Sequence, residues 1–237
     1  MIKKKSTLLQ KIALTPSQWS ALALYCSRLG FVIFIIITPF LIKHIYTLPF
    51  EATQGIHVRM LFLHVPCAFC SMAFYSAIAA HCFIYLIWRL KVALYFAKSF
   101  LLPCLFLSGA TLITGSLWGA PTWGTWWIWD ARLTSSLVLF LILLVLYILL
   151  QLPTAHHNKI NRLFCIIALL GWIDLPLVHY SVEWFQTLHQ GASLSLFKRS
   201  SIDSIYFTPL IIAIINLAIW TISCASYQFI SYQQSTR

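Results

Sequence analysis

The sequence predicts an all-α, polytopic membrane protein with six transmembrane helices and both termini cytoplasmic. Three observations carry that prediction. Of the 237 residues, 60% are apolar and only 9% are charged, whereas a soluble domain carries about 25% charged residues and uses them to cover a water-facing surface. Six runs reach the length of about 20 mostly apolar residues that a helix needs to cross the hydrocarbon core. The basic residues between those runs are unevenly divided. An aromatic content of 16% excludes disorder, which goes with high charge and few aromatics.

The first run, near 29–48, follows the basic segment MIKKKSTLLQKIALTPSQWS. No small-residue cleavage site follows a short apolar core, so a retained signal anchor is expected. Residues 1–20 then form a cytoplasmic segment ahead of a six-span membrane domain over 21–237. The second run, 61–88, follows EATQGIHVR and is long enough to tilt or to begin outside the core. The third, 99–117, follows RLKVALYFAK, and the fourth, 133–153, follows a tryptophan-rich stretch. The fifth, 163–182, follows HHNKINR, and the sixth, 206–230, follows a polar segment around 190–204. The connections leave no room for a soluble domain.

Orientation follows the basic residues of short loops. With the N-terminus inside, Lys3, Lys4, Lys5, Lys11, Arg28, Arg89, Lys91, Lys98, Lys159, Arg162 and Arg237 are cytoplasmic, and only Lys43, Arg59, Arg132, Lys198 and Arg199 are outside. Four of the five acids, Glu51, Asp130, Glu183 and Asp203, also fall outside. The net charge of +11 is therefore a topology signal, and no nucleic-acid partner is expected. Seven cysteines, an odd number lying in or beside apolar runs, argue against a secreted disulfide framework and read as packing residues.

Five of the ten tryptophans, Trp118, Trp123, Trp126, Trp127 and Trp129, fall in the outer segment 118–132, WGAPTWGTWWIWDAR. An interfacial belt needs one or two rings per helix end. Gly119, Pro121 and Gly124 are expected to break the backbone into turns, so that the rings tile a shelf suited to a flat apolar ligand. Asp130 is placed to cap the fourth helix. Arg132 beside it suits a two-pronged contact to a carboxylate, and Arg59 lies on the same outer side.

Eight histidines are present. His156 and His157 fall in an inner loop, and His81 lies about 25 Å along one helix from His64, too far to share a metal. The outer side offers His44, His57, His64, His179 and His189, and spacing does not choose a pair among them. His64 begins LHVPCAFC, and His189 ends SVEWFQTLH in the outer segment 183–204. A helical reading puts Phe185 and His189 on one face, and Trp184 with Leu188 on another, giving an imidazole flanked by aromatics. Imidazole suits iron, zinc or copper, and a flat aromatic shelf favours a porphyrin. Cys67 and Cys70 form a C-x-x-C pair followed by Ser71, so the C-x-x-C-H signature of covalent haem is absent and packing is the simpler role. Asp174, an acid in the fifth span, is a functional candidate by position, or a partner for backbone groups freed before Pro176.

The segment WGAPTWGTWWIWDARLTSS resembles the WD motif of the haem-handling membrane proteins of cytochrome c maturation. RMLFLHVP and SVEWFQTLHQGAS, with six spans and this length, are similar to the haem exporter protein C (CcmC) family, from about residue 20 onward. The resemblance implies His64 and His189 as axial ligands of a haem b at the outer face. It implies a haem platform of Trp118, Trp123, Trp126, Trp127, Trp129 and Asp130, with Arg59 and Arg132 on the propionates and Trp184 and Phe185 as flanking aromatics. It further implies delivery of haem to the periplasmic chaperone CcmE, association with the single-span subunit CcmD and with the ATP-binding cassette subunits CcmA and CcmB, and a place in the bacterial inner membrane rather than the mitochondrial one, in contact with membrane lipid. No G-x-x-x-x-G-K-[ST] loop occurs, so ATP hydrolysis belongs to a partner. The Cys67/Cys70 pair departs from the family motif and leaves thiol chemistry near the haem open.

On this reading the chain is a carrier and not an enzyme. The alternative is a membrane b-type cytochrome or quinone-linked electron-transfer protein, which would hold its haem between histidines inside facing spans. A transporter gated by the tryptophans would need a polar lumen, and spans three, four and six are nearly devoid of polar residues.

Overall fold

The computed structural model describes residues 15–152, 157–185, 187, 189 and 202–234. The expected readings for residues 1–14, His156, Leu188, Lys198, Arg199 and Arg237 lie outside them. Among the described residues the chain is helical and without a strand, in the order α1 (Pro16–Thr47), a 3₁₀ turn (Ile56–Met60), α2 (Leu61–Trp88), α3 (Lys91–Trp123), α4 (Ala131–Gln151), α5 (His157–Trp172), α6 (Asp174–Trp184) and α7 (Ser204–Gln234). Six spans result, because α5 and α6 together make the fifth.

Helix ends differ from the hydropathy runs where local chemistry overrides hydropathy. α1 starts at Pro16 instead of near 29, because Thr15 and Gln18 form a reciprocal capping box with Pro16 in the first turn. α2 and α3 are joined by Arg89 and Leu90 alone, Arg89 taking the left-handed conformation at φ 56°. Most of RLKVALYFAK is thus the first turns of α3 and not a loop. The fifth span breaks at Ile173: Pro176 has no N–H for the Trp172 carbonyl, and its ring crowds that group.

The spans pack through apolar and small residues. One buried cluster joins α2, α3, α4 and α5 around Tyr75, Ile78, Leu101, Leu143 and Phe164. A second joins α2, α3 and α7 around Phe62, Cys67, Cys70, Leu107 and Leu210, so Cys67 and Cys70 are packed, free thiols. α1 lies along α7, where Gly30 faces Ser223 so closely that a Cβ would collide with it, the small-residue contact common between membrane helices. Asn216 Nδ2 donates to Thr38 Oγ1 across the same pair at 2.9 Å. Large apolar side chains such as Phe40, Phe106 and Ile113 are exposed on the outside of the bundle, as expected where the solvent is lipid.

Candidate haem site

α3 runs two turns past the expected end of its span and carries Trp118 and Trp123 on helix. Gly119 and Pro121 therefore do not break the helix, and the chain leaves it at Gly124, at φ 75°, a conformation that glycine adopts without steric cost. Gly119 has a packing role instead: a Cβ there would lie 3.0 Å from the Trp123 ring. Gly115, one turn earlier, does the same for His64, where a Cβ would meet Cε1 at 3.1 Å. Two glycines four residues apart thus form a flat bed on α3 for one imidazole and one indole.

His64 stands in the first turn of α2, with Nδ1 3.1 Å from Thr114 Oγ1. Thr114 already donates its one hydroxyl proton to the Ala110 carbonyl at 2.6 Å. It can then only accept from the imidazole, so the proton sits on Nδ1 and Nε2 keeps its lone pair. The ring edge meets Trp118 with centroids 5.8 Å apart. Trp118 Nε1 in turn donates to Gln54 Oε1 at 3.0 Å. The connection holding Gln54 is folded by Glu51, whose carboxylate accepts from Thr53 Oγ1 and from the Thr53 and Gln54 amides. Those bonds, the Thr53 hydroxyl first, hold the Glu51 carboxyl below its ordinary pKa.

His189 lies beyond α6, which ends at Trp184 with Phe185 already extended at φ −132°. The helical reading that put Phe185 and His189 on one face is therefore corrected: the helix stops at Trp184, five residues short of His189. His189 Nδ1 is 3.2 Å from Asp130 Oδ2, and its ring meets Trp123 edge-on at 4.6 Å. Asp130 Oδ1 caps α4 by accepting from the Leu133 amide at 2.8 Å. Each carboxylate oxygen has its own task, capping and histidine positioning together. A carboxylate only accepts, so Nδ1 again carries the proton and Nε2 keeps its lone pair. Burial outweighs the pull of Asp130 and holds the His189 pKa below its ordinary value, which favours the neutral ring.

Both imidazoles line one cavity of about 1530 Å³ at this end of the bundle, with Trp118, Trp123, Trp127 and Arg132. That exceeds the ~300–1,000 Å³ of common small-molecule pockets. Arg132 is tied to the cavity wall: Nη2 donates to the His179 carbonyl at 2.9 Å and Nε to Ser181 Oγ at 3.4 Å. His57 and His179 also line the cavity, but among the described residues of its lining only His64 and His189 are histidines with an Nδ1 held by a neighbouring side chain, Thr114 and Asp130.

The profile of the family described as CcmC, Heme exporter protein C, matches residues 9–235. The chain belongs to that family. It is similar to the Heme exporter protein C of Escherichia coli K12, 42% identical over 162 residues, 68% of this chain and 64% of that protein. It resembles the protein of the same description from Haemophilus influenzae at 36% over 176 residues, 73% of this chain and 71% of the relative. A putative cytochrome c biosynthesis ccmC-like mitochondrial protein of Arabidopsis thaliana is 37% identical over 153 residues, 64% of this chain and 57% of the relative. The match to the first of these thus spans a little under two thirds of its length.

For this CcmC-family chain the fold gathers some of the residues singled out by sequence and not others. His64, His189, Trp118, Trp123, Trp127 and Arg132 share the cavity, and Asp130 stands behind His189. Trp126 and Trp129 turn outward, 63% and 75% exposed, and Trp184 and Phe185 are also exposed, none of the four lining the cavity. Arg59 is drawn away, donating to the Tyr46 carbonyl at 3.0 Å and lying over the Tyr46 and Phe50 rings. Thr114, Gly115 and Gln54 were not among the sequence candidates. The two glycines four apart, 115 and 119, were the visible signal for a close approach to α3.

Proposed function

We propose that this chain binds haem as cargo at the outer face of a bacterial inner membrane and passes it to the chaperone CcmE during cytochrome c maturation. One observation supports this most strongly: two imidazoles, each with Nδ1 tied back by a neighbouring side chain, line a single tryptophan-walled cavity. His64 and His189 would take the two axial positions of the iron, and Trp118, Trp123 and Trp127 would cover the ring. Arg132 would meet the propionates with the donors that α6 does not use, a charged contact contributing about 1.5–3 kcal/mol. Trp126 and Trp129, exposed beside the cavity, suit the face that CcmE approaches. CcmD, CcmA and CcmB are the further partners in this reading, and energy from ATP enters through the last two.

In this reading the cavity lies outside and both termini lie in the cytoplasm, supported by the uneven division of basic residues between the two sides. Thiol labelling from the outer face should modify a cysteine engineered at 125 and leave one at 235 unmodified. A quinone-linked b-type cytochrome is the lesser reading, because His189 lies beyond the end of a span and not within a four-helix core. The deciding experiment is purification from haem-replete cells, with spectra taken before and after adding apo-CcmE. A six-coordinate, low-spin spectrum that transfers to CcmE supports carriage; oxidation and reduction by a quinone pool without transfer would support the cytochrome.

A further inference from the structure

The cavity continues well below the histidines. Along α2 its lining follows His64, Ala68, Met72 and Ser76, an i, i+4 row on one helix face, with Phe69 and Ala73 beside it. Twelve residues of helix make about 18 Å, more than half of a hydrocarbon core of about 30 Å. The space therefore descends from the interface to the middle of the bilayer. Its floor is the fifth-span break, where Trp172 Nε1 donates to Ser76 Oγ at 3.2 Å. Its far wall is α6, which packs chiefly on α4, so that α2 and α6 face each other across the space. Phe69, at 45% exposed, and Trp172, at 50%, line it and are only half-buried, so neighbouring side chains do not seal the slot at their level. At that depth the outside is acyl chain.

A slot of this kind selects by shape and polarity. At membrane depth its lining is mainly apolar, with Ala68, Phe69, Met72 and Ala73, and it leads upward to Arg132 and to two imidazoles. A lipid-soluble planar molecule with an acidic edge and a ligand-accepting metal fits that gradient; an acyl chain has no use for its upper half. Resting on the reading of the cavity as a haem site, we propose that the slot between α2 and α6 is a lateral portal through which haem dissolved in the bilayer enters the cavity.

The test compares sources. The full chain is placed in phosphatidylcholine vesicles, and haemin is supplied either in the lipid of those vesicles or on an aqueous albumin carrier, while the six-coordinate spectrum is followed in time. Ala73→Trp sets an indole in the slot nine residues below His64. It should slow loading from lipid about tenfold while leaving loading from albumin and the final spectrum unchanged. A wild-type rate from lipid, or equal slowing from both sources, overturns the portal. Should Ala73→Trp fail to give the final spectrum at all, Phe69→Ala decides: widening the slot should speed loading from lipid alone, and an unchanged rate overturns the proposal. A wild-type chain that forms no six-coordinate spectrum from either source would overturn the haem site itself, a different outcome from either.

Discussion

His64 stands on a helix inside the packed bundle, against Gly115 and under the hydroxyl of Thr114. His189 lies past the end of α6 and is met by a carboxylate, Asp130, and by the edge of Trp123. Both arrangements put the proton on Nδ1, but by different means. A neutral hydroxyl orients its partner and adds little charge. A carboxylate orients its partner and also makes it a stronger base toward a metal. The helix-borne histidine gets its precision from the backbone, and the other gets its precision from electrostatics. The first is thus suited to stay in place and the second to be the ligand whose strength is tuned.

Removing either ring should have the largest effect. His64→Ala and His189→Ala should each abolish the six-coordinate spectrum, and added imidazole should restore it by filling the vacant axial position. An unchanged spectrum in either variant would end the pairing and turn attention to His57 and His179, the other cavity histidines. Next comes Asp130. Asp130→Ala should weaken haem binding about 10–100-fold, the usual cost of losing a partner behind a metal-bound histidine, and should also cost about 1 kcal/mol of stability from the lost cap. Asp130→Asn separates the two roles, since asparagine caps as well as aspartate. Thermal melting should return to wild type while haem affinity stays low. Recovery of both would mean that Asp130 is a cap and nothing more.

Thr114 should matter less. A neutral hydrogen bond contributes about 1 kcal/mol, so Thr114→Val should lower haem affinity about fivefold, with Thr114→Ser restoring it, measured by titration against a competing haem binder. If Thr114→Val costs as much as Asp130→Ala, the contrast between the two cradles is lost. Gly115→Ala is the smallest step, because the added methyl would sit 3.1 Å from His64 Cε1 and need only tilt the ring. Its expected mark is a shift in the electron paramagnetic resonance of the low-spin iron with little change in affinity.

Six spans were legible in the sequence because lipid imposes a length on apolar runs, and the structure has six. Their ends were less legible. Gly119 and Pro121 read as breakers, yet α3 runs through both to Trp123. Pro121 costs the Leu117 carbonyl its amide partner but sits in the last turn, with only two helical residues beyond it, and Gly119 is required by the ring folded across it. The capping box at Thr15 and Gln18 was readable but lay outside the hydropathy run. Within the site, six of the residues that line the cavity had been singled out as chemically unusual: His64, His189, three tryptophans of the 118–132 segment and Arg132. Thr114 could not be found this way, because a threonine in a membrane helix routinely bonds the carbonyl one turn back, as this one does. Only the fold brings His64 to its remaining lone pair. Arg59 differs in another way: as a basic residue beside a motif it suggested a propionate, and in the fold it lies over the Tyr46 and Phe50 rings.

The two bonds from Arg132 to α6 carry a consequence about valence. A guanidinium has five N–H donors, and two of them are committed to His179 and Ser181. Three remain for whatever acid enters the cavity. One side chain can therefore be a strut between α4 and α6 and a contact for cargo at the same time, and the acid it meets becomes mechanically continuous with the wall. Lysine has the charge but only three donors on a single atom, and cannot span both directions. This position accordingly demands a fork and not merely a positive charge.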